Sequence, residues 1–294
     1  MLPNLTVFTP TYNRAHLLPR VYEALLRQSI HNFVWLIVDD GSTDGTEILV
    51  KSWQQEKRLA IHYYKKENGG LHTAYNLAIA KASTELFICI DSDDFMPDDA
   101  VENILELWDS KKSAEVAGII GLDYGMDGNP LRGKLLPDVE RVHILDLAIR
   151  YKHDVDTKMV HRTDLLKAVA PMTVFRGEKN FNPIFLFLKI DNQYPLLVLN
   201  KNLCFVDYQE TGMANNILKQ FVDSPKSFAE LRKLNMSLIR ATPGFIFANA
   251  VHYVSSSIFA NNRNWFKEAP RKGYAVLAVP MGLMLNLYLR YKTR

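Results

Sequence analysis

Three carboxylates fall within four residues at Asp91-Ser92-Asp93-Asp94, directly after the apolar run Leu86 to Ile90. Asp91 and Asp93 are two apart, so in an extended segment their side chains point to the same side. Converging carboxylates repel unless a positive charge lies between them. A divalent cation with oxygen ligands supplies that charge, and Mg2+ or Mn2+ suits carboxylates combined with phosphates. Residues 85–110 hold nine acidic residues and no basic one, which sharpens the need. A solvated loop capping the next helix accounts for Asp98 and Asp99, but poorly for Asp91 and Asp93. Two further polar clusters follow apolar runs: Thr9-Pro10-Thr11-Tyr12-Asn13-Arg14, and Asp39-Asp40-Gly41-Ser42. Taken alone, the first also reads as a strand end and the second as a helix entry.

The elements that must carry these clusters alternate. Leu5 to Thr9 is a strand-like run stopped by Pro10, and Leu18, Val21, Tyr22 and Leu25 form a helical stripe. Phe33 to Val38 reads as a buried strand. Asp44 and Glu47 resemble a capping box for a helix bearing Ile48, Leu49 and Trp53. Strands over Leu59 to Tyr64, Glu85 to Ile90 and Ala117 to Leu122 complete the series. Helices lie between them, from about Thr73 to Ala82 and after Pro97-Asp98-Asp99. Strands separated by helices imply parallel pairing. Residues 1 to about 125 therefore read as a doubly wound α/β unit, which binds ligands at the carboxyl ends of its strands. Residues 125–215 are less regular, and residues 220–294 are helical and increasingly basic.

The chain has 294 residues, 48% hydrophobic and 23% charged, a globular composition. Two cysteines exclude a disulfide scaffold or a Cys-rich zinc module; Cys89 and Cys204 read as buried thiols suited to a reducing cytoplasm. A net charge of +3 argues against a dedicated nucleic-acid binder. That total hides an asymmetry: residues 263–294 carry +6 and the remainder −3. The basic residues flank the apolar stretch Ala275 to Leu289, together with Trp265, Phe266, Tyr274, Tyr288 and Tyr291. Pro280, Gly282 and Asn286 interrupt that stretch, so an interfacial segment is expected rather than a spanning helix. No secretory signal is legible at Met1-Leu2-Pro3-Asn4-Leu5. Glycine-rich dinucleotide and P-loop signatures are absent, as are HExxH and G-x-S-x-G.

The order T-P-T-Y-N-R, V-D-D-G-S-T-D, N-G-G-x-x-x-A-x-N and D-S-D-D resembles the family 2 glycosyltransferases over about residues 4–125. The rest is loosely similar to bacterial members that build capsules and lipopolysaccharide. The resemblance implies a GT-A fold: a doubly wound, Rossmann-like sheet for a nucleotide-sugar, an acceptor-side region and a helical basic C-terminal segment. In residue terms, that gives a GT-A domain over 1–215 (nucleotide half 1–125, acceptor half 126–215) and a helical, membrane-associated region over 216–294. The implied activity is an inverting, metal-dependent transfer of a sugar from a nucleotide diphosphate, usually UDP, to a hydroxyl of a glycan or polyprenol-linked acceptor.

The same resemblance sets Thr9, Pro10, Tyr12 and Arg14 at the border of the nucleotide, with Asn68 and Gly69 flanking its pocket. Either Asp39 or Asp40 would bind the base. Asp91 and Asp93 would form the D-x-D pair around Ser92, with Asp93 the stronger ligand of Mn2+ or Mg2+ and Asp91 nearer the ribose. Tyr75 stands where relatives often carry Arg, which bears on donor preference. Inversion needs one general base. Glu178, in Arg176-Gly177-Glu178-Lys179-Asn180, resembles the acidic residue of a G-E-K-F segment and is expected in that role, ahead of Asp191 and Glu210. Gln209 to Met213 resembles a loop closing over donor, and Asp156, before a helix, is expected on the acceptor side. The implied location is the cytoplasmic face of the inner membrane. Competing readings are a nucleotidyltransferase or sugar-nucleotide binder, and a non-catalytic membrane-associated scaffold.

Overall fold

Seven residues of β1 (Leu5–Thr11) and seven of β2 (Phe33–Asp39) run side by side, nearly all of them buried. Such all-round burial produces the unbroken apolar runs seen in the sequence. A computed structural model describes residues 3–207 and 217–293 of the chain. Two compact units result: Met1–Asn68 with Ala74–Pro171 and Gln193–Gln209, and Gly69–Thr73 with Met172–Asn192 and Glu210–Arg294.

The first unit holds one eight-stranded sheet in the order β3-β2-β1-β4-β7-β5-β8-β6. The remaining strands are β3 (Ile61–Lys65), β4 (Leu86–Cys89), β5 (Gly118–Gly125), β6 (Arg141–Val142), β7 (Thr157–Arg162) and β8 (Leu196–Val206). Strands β1 to β4 pair in parallel through helices α1 (Leu18–Leu26), α2 (Thr46–Glu56) and α3 (Leu71–Lys81). Helix α4 (Ala100–Lys111) buries Val101, Ile104, Leu105 and Trp108, the stripe expected of it. Short helices α5 (Ile144–Ile149) and α6 (Thr163–Val169) follow. Leu18, Val21, Tyr22 and Leu25 of α1 are all buried, and Tyr22 stacks on Trp53 at 4.4 Å between ring centres.

Several expectations are corrected. β1 continues through Pro10, which pairs with Val38, because β4 has already ended at Cys89 opposite Phe8. The missing N–H therefore costs no ladder bond on that side. The parallel order breaks after β4, where β7 inserts antiparallel to both β4 and β5. Asp156, expected before a helix, therefore leads directly into a strand, β7. The capping box does not form. Asp44 accepts from the amides of Ala15 and Thr46, Glu47 pairs with Lys51 and Lys65, and Ile48 is 78% exposed. Both cysteines are free; Cys204 is buried but Cys89 only partly so.

The second unit is helical: α7 (Ile184–Asp191), α8 (Ile217–Asp223), α9 (Pro225–Ser237), α10 (Pro243–Phe259), α11 (Trp265–Glu268), α12 (Lys272–Leu277) and α13 (Val279–Lys292). Its core gathers Met236, Ala250, Tyr253, Ala275 and Ala278. Residues 172–192, within the expected acceptor half, pack in this unit. Among the described residues, no helix is long and apolar enough to cross a membrane.

Candidate nucleotide-sugar site

Parallel pairing sets the carboxyl ends of β1, β2 and β4 along one edge of the first unit, so their three polar clusters share that edge. The first two are sewn together. The amide of Asn13 donates to Ser42 Oγ at 2.8 Å, and Asn13 Oδ1 accepts from the amide of Thr43 at 2.8 Å. Asn13 holds a left-handed φ of 53°, a strained choice that these two bonds fix. Gly41 has φ 87°, and a Cβ there would stand 3.0 Å from the amide nitrogen of Asn68. The turn after β2 therefore requires glycine.

The expected residues take distinct places. Tyr12 is 49% exposed just past the end of β1, an aromatic ring free to stack on a planar ligand. Thr9 is fully buried, and its hydroxyl accepts from Trp35 Nε1 at 3.0 Å, so it supports the core instead of bordering a ligand. Asp39 is also fully buried. One oxygen accepts from the amide of Ser42 at 2.7 Å, the other from the Tyr63 hydroxyl at 2.6 Å. That bond, after burial itself, pushes the Tyr63 phenol far above its usual range. Asp40 pairs with Lys66 at 2.5 Å, and its carbonyl accepts from Asn68 Nδ2 at 2.9 Å. Tyr75 is buried against Phe8, with ring centres 5.0 Å apart.

Asp93 pairs with Arg14 at 3.2 Å, and its carbonyl accepts from Arg20. Arg20 also pairs with Asp207 at 2.8 Å and lies over the Phe95 ring. Phe95 exchanges backbone hydrogen bonds with Phe205 near the end of β8, which fixes the segment behind the carboxylates. Ser92 is buried in the turn. Gln209 to Met213, with Glu210, lie outside the described residues.

Behind the D-x-D pair sits a charge cluster that sequence reading missed. Lys158 Nζ is 3.5 Å from Asp94 and 3.7 Å from Asp123. Desolvation raises Asp94 to about 7 and Asp123 to about 6, against the lowering effect of Lys158. Desolvation also raises Asp91, whose carboxyl reaches solvent but is hemmed in by protein; Lys158 counters this and Asp93 adds to it. Desolvation alone would lower Lys158, but the surrounding carboxylates, Asp123 first among them, outweigh it and hold the ammonium charged.

Among the described residues, no group of three or more His, Cys, Asp or Glu could hold a metal ion by itself. The donor set nonetheless fits Mg2+ or Mn2+ completed by substrate. Two carboxylates in a crowded, electron-rich pocket are the usual protein share when phosphate oxygens and water supply the rest. Arg14 now provides the positive charge on Asp93.

In the second unit, Gly70 has φ 91°, and a Cβ there would fall 1.9 Å from the carbonyl oxygen of Lys179. The glycine turn thus packs backbone to backbone against the segment carrying Glu178. Gly70→Ala is expected to cost about 2 kcal/mol, read as a lower urea midpoint.

Glu178 is buried at 7% exposure. Its oxygens accept from the amides of Lys226 at 2.9 Å and Ser227 at 2.8 Å, and from the Ser227 hydroxyl at 2.7 Å. It closes the N-terminus of α9, where free amides and the helix dipole favour an anion. This corrects the picture of an available proton acceptor, because both carboxylate oxygens already accept hydrogen bonds from the start of that helix. Asp191 is buried at the end of α7.

The sequence model of "Glycosyl transferase family 2" matches residues 6–166, more than half of the chain. The chain belongs to that family. It is 31% identical over 112 residues to the minor teichoic acid biosynthesis protein GgaB of Bacillus subtilis, a match covering 37% of this chain and 12% of GgaB. The chain thus spans a small part of that relative. Two solved structures share its fold. Residues 1–349 of S. aureus TarS, in complex with UDP-GlcNAc, superpose with a TM-score of 0.61 at 16% identity, covering 98% of this chain and 92% of that one. The mannosyltransferase PcManGT of Pyrobaculum calidifontis, in complex with GDP-Man and Mn2+, gives 0.61 at 17%, covering 98% and 88%. The family member therefore has the GT-A fold, in a mixed sheet rather than a purely parallel one.

Proposed function

We propose that this family 2 member transfers a sugar, with inversion, from a UDP-linked donor to a hydroxyl of a glycan or polyprenol-linked acceptor during cell-surface polysaccharide synthesis. The observation that carries the reading is the Asp91/Asp93 pair at the end of β4, on the edge shared with Tyr12 and the Asp39-Asp40 turn. Asp91 and Asp93 would hold Mn2+ or Mg2+, which supplies positive charge to the departing diphosphate. Tyr12 would offer a stacking face for the base, Asp40 an acceptor for its N–H, and Asn68, which holds the Asp40 carbonyl, would border the nucleotide. In a single displacement the acceptor oxygen bonds to the anomeric carbon as the bond to diphosphate breaks. The hydroxyl proton passes to a general base. The GgaB relative supports the polysaccharide context, and the TarS and PcManGT complexes support a nucleotide-sugar donor.

Thermal stabilisation by a panel of nucleotide-sugars, with and without Mn2+, tests the donor. Stabilisation by UDP-sugars that grows with Mn2+ is expected; a preference for GDP-mannose overturns the UDP assignment. Glu178 is assigned to positioning rather than to the base. Glu178→Gln is expected to lower stability by about 1–2 kcal/mol while kcat stays within tenfold of the parent. A loss of 10²-fold or more in kcat at unchanged melting temperature makes Glu178 the base after all.

The remaining part of the reading is location: the cytoplasmic face of a membrane, held peripherally through the basic C-terminal region. Exposed Lys272, Arg290 and Lys292 support it.

A further inference from the structure

Helix α13 is built inside out. Met281, Met284, Leu287, Tyr288 and Tyr291 recur at helical spacing, and each is between 48% and 75% exposed. The buried positions are Gly282, Asn286 and Leu289. A Cβ on Gly282 would lie 2.6 Å from the Val254 side chain, so α13 approaches α10 closely only because this residue is glycine. Buried Asn286 donates to the carbonyl of Ser255 at 3.2 Å. The pattern repeats around α12, where Ala275 and Ala278 are fully buried while Val276 and Leu277 are 53% and 69% exposed. A water-facing surface helix shows the reverse arrangement. Small residues and polar groups turned inward, with large apolar ones outward, is how helices pack in lipid.

Two further observations identify the occupant. Exposed Arg263, Lys267, Arg271, Lys272, Arg290 and Lys292 accompany this surface, with Glu268 as the one acid between residues 263 and 293. A cavity of about 510 Å³ adjoins it through Leu283, walled by Val254, Ile258, Trp265 and Val279 and also lined by Arg263. Its apolar walls, with Ser257, Asn261, Asn262 and Arg263 also lining it, match an acyl chain bearing a phosphate headgroup.

We propose that the outer face of α12 and α13 lies in the plane of an anionic phospholipid bilayer, its side chains sunk to the headgroup–acyl boundary. The cavity takes one acyl chain, with Arg263 on the lipid phosphate. The proposal rests on the membrane part of the reading above and is independent of the donor chemistry.

The full chain is tested by co-sedimentation with vesicles of phosphatidylcholine alone or mixed with phosphatidylglycerol, and by quenching with chain-brominated phosphatidylglycerol. Binding to anionic vesicles only, weakened by salt, is expected. The exposed substitutions Met284→Glu and Leu287→Glu together are expected to lower partitioning at least tenfold, with thermal stabilisation by a UDP-sugar unchanged. Quenching reports on Trp265, since Trp35, Trp53 and Trp108 are buried in the first unit. If the parent binds no vesicles, this proposal and the membrane reading both fall. If the double variant binds as well as the parent, this face is wrong while the membrane reading stands. Intact binding without quenching removes the acyl-chain slot. Dimerisation abolished by the double variant, without vesicle binding, makes a second copy the occupant and overturns the proposal.

Discussion

Asp93→Asn is expected to lower sugar transfer about 10³-fold while leaving the fold in place. The stability side follows from exposure. The Asp93 side chain is 22% accessible and its partner Arg14 28%, and pairs of this kind contribute about 0–1 kcal/mol. The backbone carbonyl of Asp93, which accepts from Arg20, is unchanged by the substitution. The activity side follows from charge. A diphosphate leaving group gains negative charge as its bond to the sugar breaks, and charge stabilisation at that point is worth about 3–4 kcal/mol per lost group. With only two carboxylates to hold the cation, losing one removes half of the protein's share. Product formation from a UDP-sugar with Mn2+ measures the first effect and a melting curve the second. Chelation is expected to bring the parent down to the level of the variant and to leave the variant unaffected. Near-parental turnover in Asp93→Asn overturns the assignment.

The nucleotide half of the fold was legible because each of its elements carries its own signal. β1, β2 and β4 are apolar runs that end in carboxylates, threonines or turns, and α1 and α4 show clean helical stripes. β7 was not legible. Thr-Lys-Met-Val-His-Arg shows neither alternation nor an apolar run, and it becomes a strand because β4 and β5 present it with two edges. The site was half legible for a related reason. Asp91 and Asp93 announce themselves by spacing, but Lys158 answers the adjoining Asp94 from a strand 64 positions further on. Thr9 looked like a ligand contact because its bond to Trp35 joins two strands and leaves no local trace. Glu178 reads from sequence as an available base because the helix it closes starts only at Pro225. In α13, composition revealed the apolar residues, while only packing showed that they face outward.

Lys158→Met should cost about 3 kcal/mol at pH 8 and much less at pH 5. The ammonium stands between Asp94 and Asp123 and also feels the charge of Asp91, so the local charge balance turns on it. Replacing it with an apolar side chain of similar length leaves the carboxylates without their counter-charge, and a buried pair broken on one side costs about 3–5 kcal/mol. The pH dependence has a definite sign. Asp123 at about 6 and Asp94 at about 7 already stand above the usual 3.8 with Lys158 in place. The folded chain therefore holds more protons than the unfolded one between about pH 4 and 7, and their contribution to stability falls as pH rises through that window. Without Lys158 both groups move higher still, so the loss deepens and extends past neutrality. Urea midpoints at pH 5 and pH 8 measure this: the gap between parent and variant widens at pH 8. A gap that is equal at both values means the carboxylates draw their compensation from elsewhere. Mn2+ adds a second readout. If Asp91 and Asp93 hold the cation, Mn2+ with a UDP-sugar restores part of the lost stability in Lys158→Met, and restores none of it once Asp93→Asn is added.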